Sequence, residues 1–389
     1  MPLSPAALAA EFPLQPGLCY LNHAGVAPWP RRAALAVEAF ARENTTLAAS
    51  SYPRWLAVEQ RLREQLARLI NAASPMQVGL LKNTSEGLSF VAAGLSWRAG
   101  QNVVIAREEF PSNRIVWEAL GRHGVAVRQV PVLDAADPEA DLLAACDADT
   151  RLLSISACQY INGMKMSLDR LGDYCRRRDI LFVVDAIQAI GAVPFDVEAC
   201  QCDVAVADGH KWLLGPEGLA LFYVSDRALE RLAVSEYGWH MVARVGDYER
   251  SEWGLSPDVR RFECGSPNLL GTHALEASIG LLIEHGESFV FNQLRCNVEF
   301  LSSSVEQIPG AESLSPSSPD RRSGILTVAF AGTDPGRLDR RLRQAGVFAA
   351  VRGGGIRLSP HFYTPQAMLE EAARVLARCV VAERRGEAL

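Results

Sequence analysis

The sequence has little that would tie it to a membrane, a nucleic acid or a metal. Its longest apolar runs fall far short of the ~18 to 20 residues that a membrane span needs. Met1 to Ala10 carry no positive n-region and no long apolar core, so no signal peptide is expected. Asp plus Glu number 45 against 39 Lys plus Arg, a formal charge of −6. No basic excess is available to hold a phosphate backbone, and nucleic acid is not an expected partner. The nine cysteines include no CxxC pair. Cys200 and Cys202 form a CxC with no histidine at metal spacing, so no metal site is expected. The thiols fit a reducing compartment, and the expected location is cytoplasmic. No GxGxxG follows an early strand, which argues against a dinucleotide-binding unit, and no internal repeat is visible.

What is present is a chain of 389 residues, 49% apolar and 22% charged. That length suggests two or three domains and a core large enough to fold without disulfides. Val103–Ala106, Val125–Val132, Leu152–Ala157, Leu181–Asp185, Val204–Ala207 and Leu219–Val224 are short apolar runs. Several are continuous rather than alternating, as strands buried on both faces should be. Helical patterns at Glu86–Leu95, Ser112–His123 and Leu168–Arg178 separate them. The order predicts an α/β protein with a parallel or mixed sheet between helices. After Asn268 the pattern changes. Helices are expected over Leu269–His285, Ser288–Ile308, Pro335–Gln344 and Pro365–Ala382, a loop over Ala311–Ser323, and strands over Gly324–Phe330, Val347–Val351 and Gly355–Leu358. The expected division is a large domain over 15–268 and a small C-terminal α/β domain over 269–389, joined by residues 1–14. The polar stretch His240–Asp258, with Trp239, Tyr248 and Trp253 in or beside it, is long enough to border a site.

Two positions carry the chemistry. Asp185 ends an apolar strand, where open α/β sheets bind ligands. Lys211 follows a second apolar strand and precedes Gly215-Pro216-Glu217-Gly218. Alone, the first reads as a helix cap and the second as a solvated surface lysine. Together they are what pyridoxal 5′-phosphate needs: a lysine to form a Schiff base, and a carboxylate to keep the ring nitrogen protonated so that the ring is an electron sink. Lys82-Asn83-Thr84-Ser85-Glu86-Gly87 opens a helix, and hydroxyls with free N–H groups there form an anion site.

Asp185-x-x-Gln188, followed 26 residues after the Asp by Lys211 within Gly-His-Lys-Trp-Leu-Leu-Gly-Pro-Glu-Gly, resembles the class V aminotransferase family. That family includes cysteine desulfurases, kynureninase and isopenicillin N epimerase, and the resemblance runs from about Tyr20 to Tyr363. It implies fold type I, a large domain with a mostly parallel seven-stranded sheet and a small C-terminal domain. It implies Lys211 and Asp185 as catalytic residues. Thr84, Ser85 and His210 become phosphate ligands, and Gln188 the partner of the cofactor's phenolic oxygen. Phe110, in Glu109-Phe110-Pro111-Ser112-Asn113, matches the position whose ring stacks on the pyridine. Arg357, within an Arg-x-Ser-x-x-x-Tyr segment, takes the substrate α-carboxylate, with Asn22 and His23 near the substrate mouth. Ser266 reaches the phosphate of a neighbouring subunit, which implies a homodimer with shared sites. Tyr160 occupies a position that is often Asn. Asp208 replaces a common Ser or Thr phosphate ligand; a carboxylate there repels phosphate, so it points away or binds a backbone amide. Desulfurases keep a nucleophilic Cys just before the substrate arginine, and Ala349 to Ile356 contains none; Cys379 lies in an expected helix. The expected activity is amino-acid transamination, with β-elimination from a sulfur amino acid without a persulfide, or epimerisation, as alternatives.

Overall fold

The structure, a computed structural model, describes residues 4–387. In chain order, β1 is Cys19–Tyr20, β2 Val78–Leu81, β3 Asn102–Ala106, β4 Ala126–Val130, β5 Thr150–Ser156, β6 Leu181–Asp185, β7 Val204–Asp208 and β8 Ala220–Val224. Strands β2 to β8 build one seven-stranded sheet in the order β2-β8-β7-β6-β5-β3-β4. Neighbours pair in parallel except at β8, which runs antiparallel to both β7 and β2. Every residue of β3, β6 and β8 is buried, which explains their unbroken apolar character. Alternate side chains serve opposite faces. Val104, Leu153, Phe182 and Val184 join one core, which continues into the C-terminal helices. Val103, Ile105, Leu152 and Val183 join the other, with Leu88, Phe90 and Val91 of helix Thr84–Gly94 and with Trp117.

A second sheet follows, from β9 (Ala311–Ser313), β10 (Leu326–Phe330), β12 (Ala350–Arg352) and β13 (Gly355–Leu358), in the order β12-β13-β10-β9 and antiparallel throughout. The remaining strand, β11 (Val347–Phe348), pairs in parallel with β1 and ties the start of the chain to this region. Helix Leu269–His285 packs against helices Arg31–Leu47 and Tyr52–Leu69.

Three sequence expectations need correction. Ala311–Ser323 is not all loop: Ala311–Ser313 hydrogen-bonds to β10, and Pro319–Arg321 forms a 3-10 turn. Val347–Val351 is two strands, because Val347–Phe348 faces β1 whereas Ala350–Arg352 faces β13. The helix expected to reach His123 tightens to 3-10 geometry from Ala119. Strands β1 and β2 and the three α-helices before β2 lay outside the expected elements.

One buried ion cluster fixes the segment that leads to Ser266. Arg63 donates to Glu263 through both terminal nitrogens, each at 2.7 Å, and to Glu59 at 2.6 Å. Glu263 also accepts the Leu80 N–H at 2.9 Å, which fastens it to β2. Arg63→Ala strands two buried carboxylates. Denaturant unfolding should show a loss of about 3 to 5 kcal/mol; a loss below about 1 kcal/mol contradicts this account of the cluster.

Candidate active site

The carboxyl ends of β5, β6 and β7 converge, with Ser156 in register with Asp185 and Asp185 with Val206. That edge carries Asp185, Asp208 and, three residues past β7, Lys211. Asp185 is buried and accepts the Ile187 N–H at 3.1 Å. Burial pushes its carboxyl up to about 6, with the Ile187 bond and the Lys211 charge opposing the rise. A cation at a ligand's ring nitrogen would pull it back down and keep it ionised. Lys211 is 9% exposed. Burial lowers its ammonium to about 8; Arg357 and Arg352 push the same way, against Asp185 and Asp208. About a tenth of such a lysine is neutral at pH 7, against well under a thousandth for an ordinary one, which makes it available as a nucleophile for a carbonyl. Its Nζ lies 5.6 Å from the Phe110 ring centroid. Phe110 is 39% exposed, and Tyr160 meets it edge-on at 5.2 Å.

Gln188 is fixed at both ends of its amide: Nε2 donates to the Ala24 carbonyl at 3.0 Å, and Oε1 accepts the Trp212 indole N–H at 2.8 Å. Nε2 keeps a second hydrogen to donate. His210 is driven down to about 4 by burial and by Lys211, and its Nδ1 has no partner. Thr84 starts helix Thr84–Gly94, and its Oγ1 is buried without a partner. Ser85 is exposed and donates to Ser112 Oγ at 2.8 Å. Asp208 takes the second of its two expected courses, accepting the Thr84 backbone N–H at 2.7 Å.

Arg357, 1% exposed, sits on β13 between β10 and β12. The hairpin that delivers it turns at Gly353 and Gly354, both with positive φ, and a Cβ on Gly353 would meet Ile161 at 2.5 Å. Glycine is therefore needed for conformation and for space. Arg357 donates to the Tyr160 carbonyl at 2.9 Å and to Asn22 Oδ1 at 3.3 Å, while its Nε is buried without a partner. Among the described residues no carboxylate pairs with Arg357, and burial together with Arg352 lowers the guanidinium to about 9. A buried cation with unused donors is an anion receptor.

His23, expected at the substrate mouth, is instead buried with both nitrogens engaged: Nδ1 donates to the Ser359 carbonyl at 2.8 Å, so Nε2 accepts from the Tyr363 hydroxyl at 2.6 Å. It anchors the segment that presents Asn22 to Arg357. Ser266 lines a cleft of ≈ 240 Å³ with Lys82, Glu86, Glu263 and Cys264, to which Lys211 does not contribute. Trp239, Tyr248 and Trp253 edge a separate hollow of ≈ 420 Å³.

Glu109 escaped the sequence reading. Its buried carboxylate accepts the Ser156 N–H at 2.8 Å, Asn113 Nδ2 at 2.9 Å and the Ser156 hydroxyl, and burial pushes it up to about 7. It braces the Phe110 loop against β5. The available signal was its place just beyond β3, at the same edge of the sheet as Asp185.

The aminotransferase class-V family model matches residues 19–368, nearly the whole chain. The chain belongs to the aminotransferase class-V family. Its cofactor is accordingly pyridoxal phosphate, and the buried Lys211, the unpartnered Thr84 Oγ1 and His210 Nδ1, and Asp185 at the strand end fit that molecule's aldehyde, phosphate and ring nitrogen. The chain is 29% identical to isopenicillin N epimerase of Streptomyces clavuligerus over 93% of its own length and 95% of that protein. It is 29% identical to a probable cysteine desulfurase of Methanothermobacter thermautotrophicus, over 91% and 92%. Among solved structures, the cysteine desulfurase CsdA of Escherichia coli superposes with a TM-score of 0.84 at 22% identity, covering 98% of this chain and 99% of that one. The cystine C–S lyase C-DES gives 0.86 at 23%, covering 95% and 99%. These two structures share the class V fold with the chain.

Proposed function

We propose that this class V enzyme removes the α-proton of an amino acid and transfers the amino group to a 2-oxo acid. The observation that carries the reading is buried Lys211, with its lowered basicity, beside the unneutralised Arg357 and facing Phe110. Thr84, Ser85 and His210 would hold the cofactor phosphate, Gln188 its phenolic oxygen and Asp185 its ring nitrogen. Bound there, pyridoxal phosphate supplies an electron sink for the carbanion left when the α-proton departs. Arg357 clamps the substrate carboxylate and so fixes Cα. Lys211 Nζ acts as general base for the α-proton. Phe110 has no proton to give or take, so Lys211 serves both carbons between which the proton moves. A single base of this kind suits amino transfer, whereas epimerisation needs a second base on the opposite face.

Elimination from a sulfur amino acid is the second reading, favoured by the relatives' names. A thiolate can leave without an acid. A persulfide route lacks its nucleophile: no Cys adjoins the Gly353 hairpin, and burial raises the thiols of Cys158, to about 12, and of Cys379. Amino acids incubated with and without a 2-oxo acid separate the readings. Amino transfer that depends on the oxo acid is expected. Sulfide and pyruvate from cysteine or cystine without an acceptor would favour elimination. Alanine from cysteine that stops when one Cys is alkylated contradicts both.

We also propose that the site is completed in a homodimer. Ser266 is exposed and lines a cleft to which Lys211 of the same chain does not contribute, in keeping with a residue that serves a second subunit's phosphate. Mixing Lys211→Ala subunits with Ser266→Asp subunits should restore part of the activity, because one of the two mixed sites is then intact. No recovery from inactive parents, or an active stable monomer in light scattering, refutes the shared site.

A further inference from the structure

The N-terminus of helix Thr84–Gly94 already holds an anion of the protein's own. Asp208 Oδ1 accepts the Thr84 N–H at 2.7 Å, and Oδ2 stands 3.6 Å from His210 Nδ1. Thr84 is 4% exposed, and its Oγ1, which completes no well-formed hydrogen bond, also faces the Asp208 carboxyl and helps hold it ionised. Asn83 caps the next turn by accepting the Glu86 N–H at 2.9 Å, so the Thr84 amide is left to Asp208. We propose that Asp208 and the cofactor phosphate compete for this helix N-terminus, and that loading the cofactor places a proton on Asp208.

The inference rests on the pyridoxal-phosphate reading of the site. The groups that face Asp208 are Thr84 from the helix, Asp185 from β6, and His210 and Lys211 from the loop after β7. Burial and the Asp185 charge raise its carboxyl to about 6, against the Thr84 bond and the Lys211 charge. A phosphate beside it adds negative charge and raises it further. Between the two values the loaded protein holds the proton and the unloaded protein does not. Through that window the contribution of Asp208 to affinity falls as pH rises, by up to tenfold per pH unit; below about 6 it is constant. The Oδ1 that loses the Thr84 amide can, once protonated, donate to the phosphate instead of repelling it.

The test uses the apoprotein and pyridoxal phosphate, with affinity read by calorimetry in two buffers of different ionisation heat. Asp208→Asn keeps the shape and removes the charge. Every other titrating group, Lys211 and the phosphate included, is common to both proteins. At about pH 8 the Asn variant should bind roughly tenfold to a hundredfold more tightly than wild type, the equivalent of one to two units of carboxyl shift. The wild type should take up additional protons, roughly 0.5 to 0.8 per cofactor bound at the maximum near pH 6.5 to 7, and the difference in affinity should fade toward pH 6. Asp208→Ser offers a neutral hydroxyl and should behave like the Asn variant, which keeps the test decisive if one of the two folds poorly in a thermal melt. Equal or weaker binding by the neutral variants at about pH 8, with unchanged proton uptake, overturns the inference. Borohydride labelling of wild-type Lys211 separates this failure from failure of the cofactor reading, since the label forms whatever Asp208 does.

Discussion

Lys211→Ala should yield a folded protein that binds pyridoxal phosphate without a covalent bond and turns over no amino acid at more than about a thousandth of the wild-type rate. A positioned general base contributes roughly 10²- to 10⁴-fold, and loss of the Schiff-base partner adds to that. Folding should survive. Among the described residues Lys211 makes no side-chain hydrogen bond, and its charge carries a burial penalty that alanine removes. The measurement is single-turnover kinetics with added pyridoxal phosphate, beside a mass spectrum after borohydride. Activity within tenfold of wild type would mean that another group takes the α-proton.

Arg357→Lys should raise KM for the amino acid roughly tenfold to several hundredfold, a penalty of about 1.4 to 3.5 kcal/mol, and leave cofactor absorbance unchanged. The charge survives and the planar fork does not. Lysine cannot hold the Tyr160 carbonyl, Asn22 and a carboxylate in one plane as the guanidinium can. The site is preorganised by Asn22 and the Gly353 hairpin, so the loss should appear in KM more than in stability. A variant that loses the cofactor and keeps its substrate affinity contradicts the assignment.

The large sheet was legible because its inner strands are buried on both faces, and continuous apolar runs such as Leu181–Asp185 leave no helical alternative of that length. That Asp185 and Lys211 share the sheet's carboxyl edge was legible because one ends such a run and the other lies just past one. Strand β2 was missed: Val78–Leu81 is four residues long, and its antiparallel partner β8 lies far along the chain. The break at Ala349 was equally hidden, since pairing with β1 or β13 is decided by tertiary register rather than by local composition. His23 misled because a histidine beside an expected carboxylate receptor looks like a ligand, whereas burial, pulling it down to about 4, and two local bonds make it a neutral brace. The place of Asp208 could be narrowed to two outcomes from sequence; the helix amide that settles between them comes from a segment 124 residues earlier.

On the proposed reading, every branch open to this site begins with the same event, removal of the α-proton by Lys211 from an amino acid held by Arg357. Exchange of that proton with solvent tests the event whatever product follows. The pyridoxal-phosphate-loaded enzyme, incubated in deuterium oxide with a panel of amino acids and followed by proton NMR, should wash out the α-proton signal of its substrates. Lys211→Ala should not. A fully loaded wild-type enzyme that exchanges no α-proton across the panel, or a Lys211→Ala enzyme that exchanges at the wild-type rate, would contradict the account.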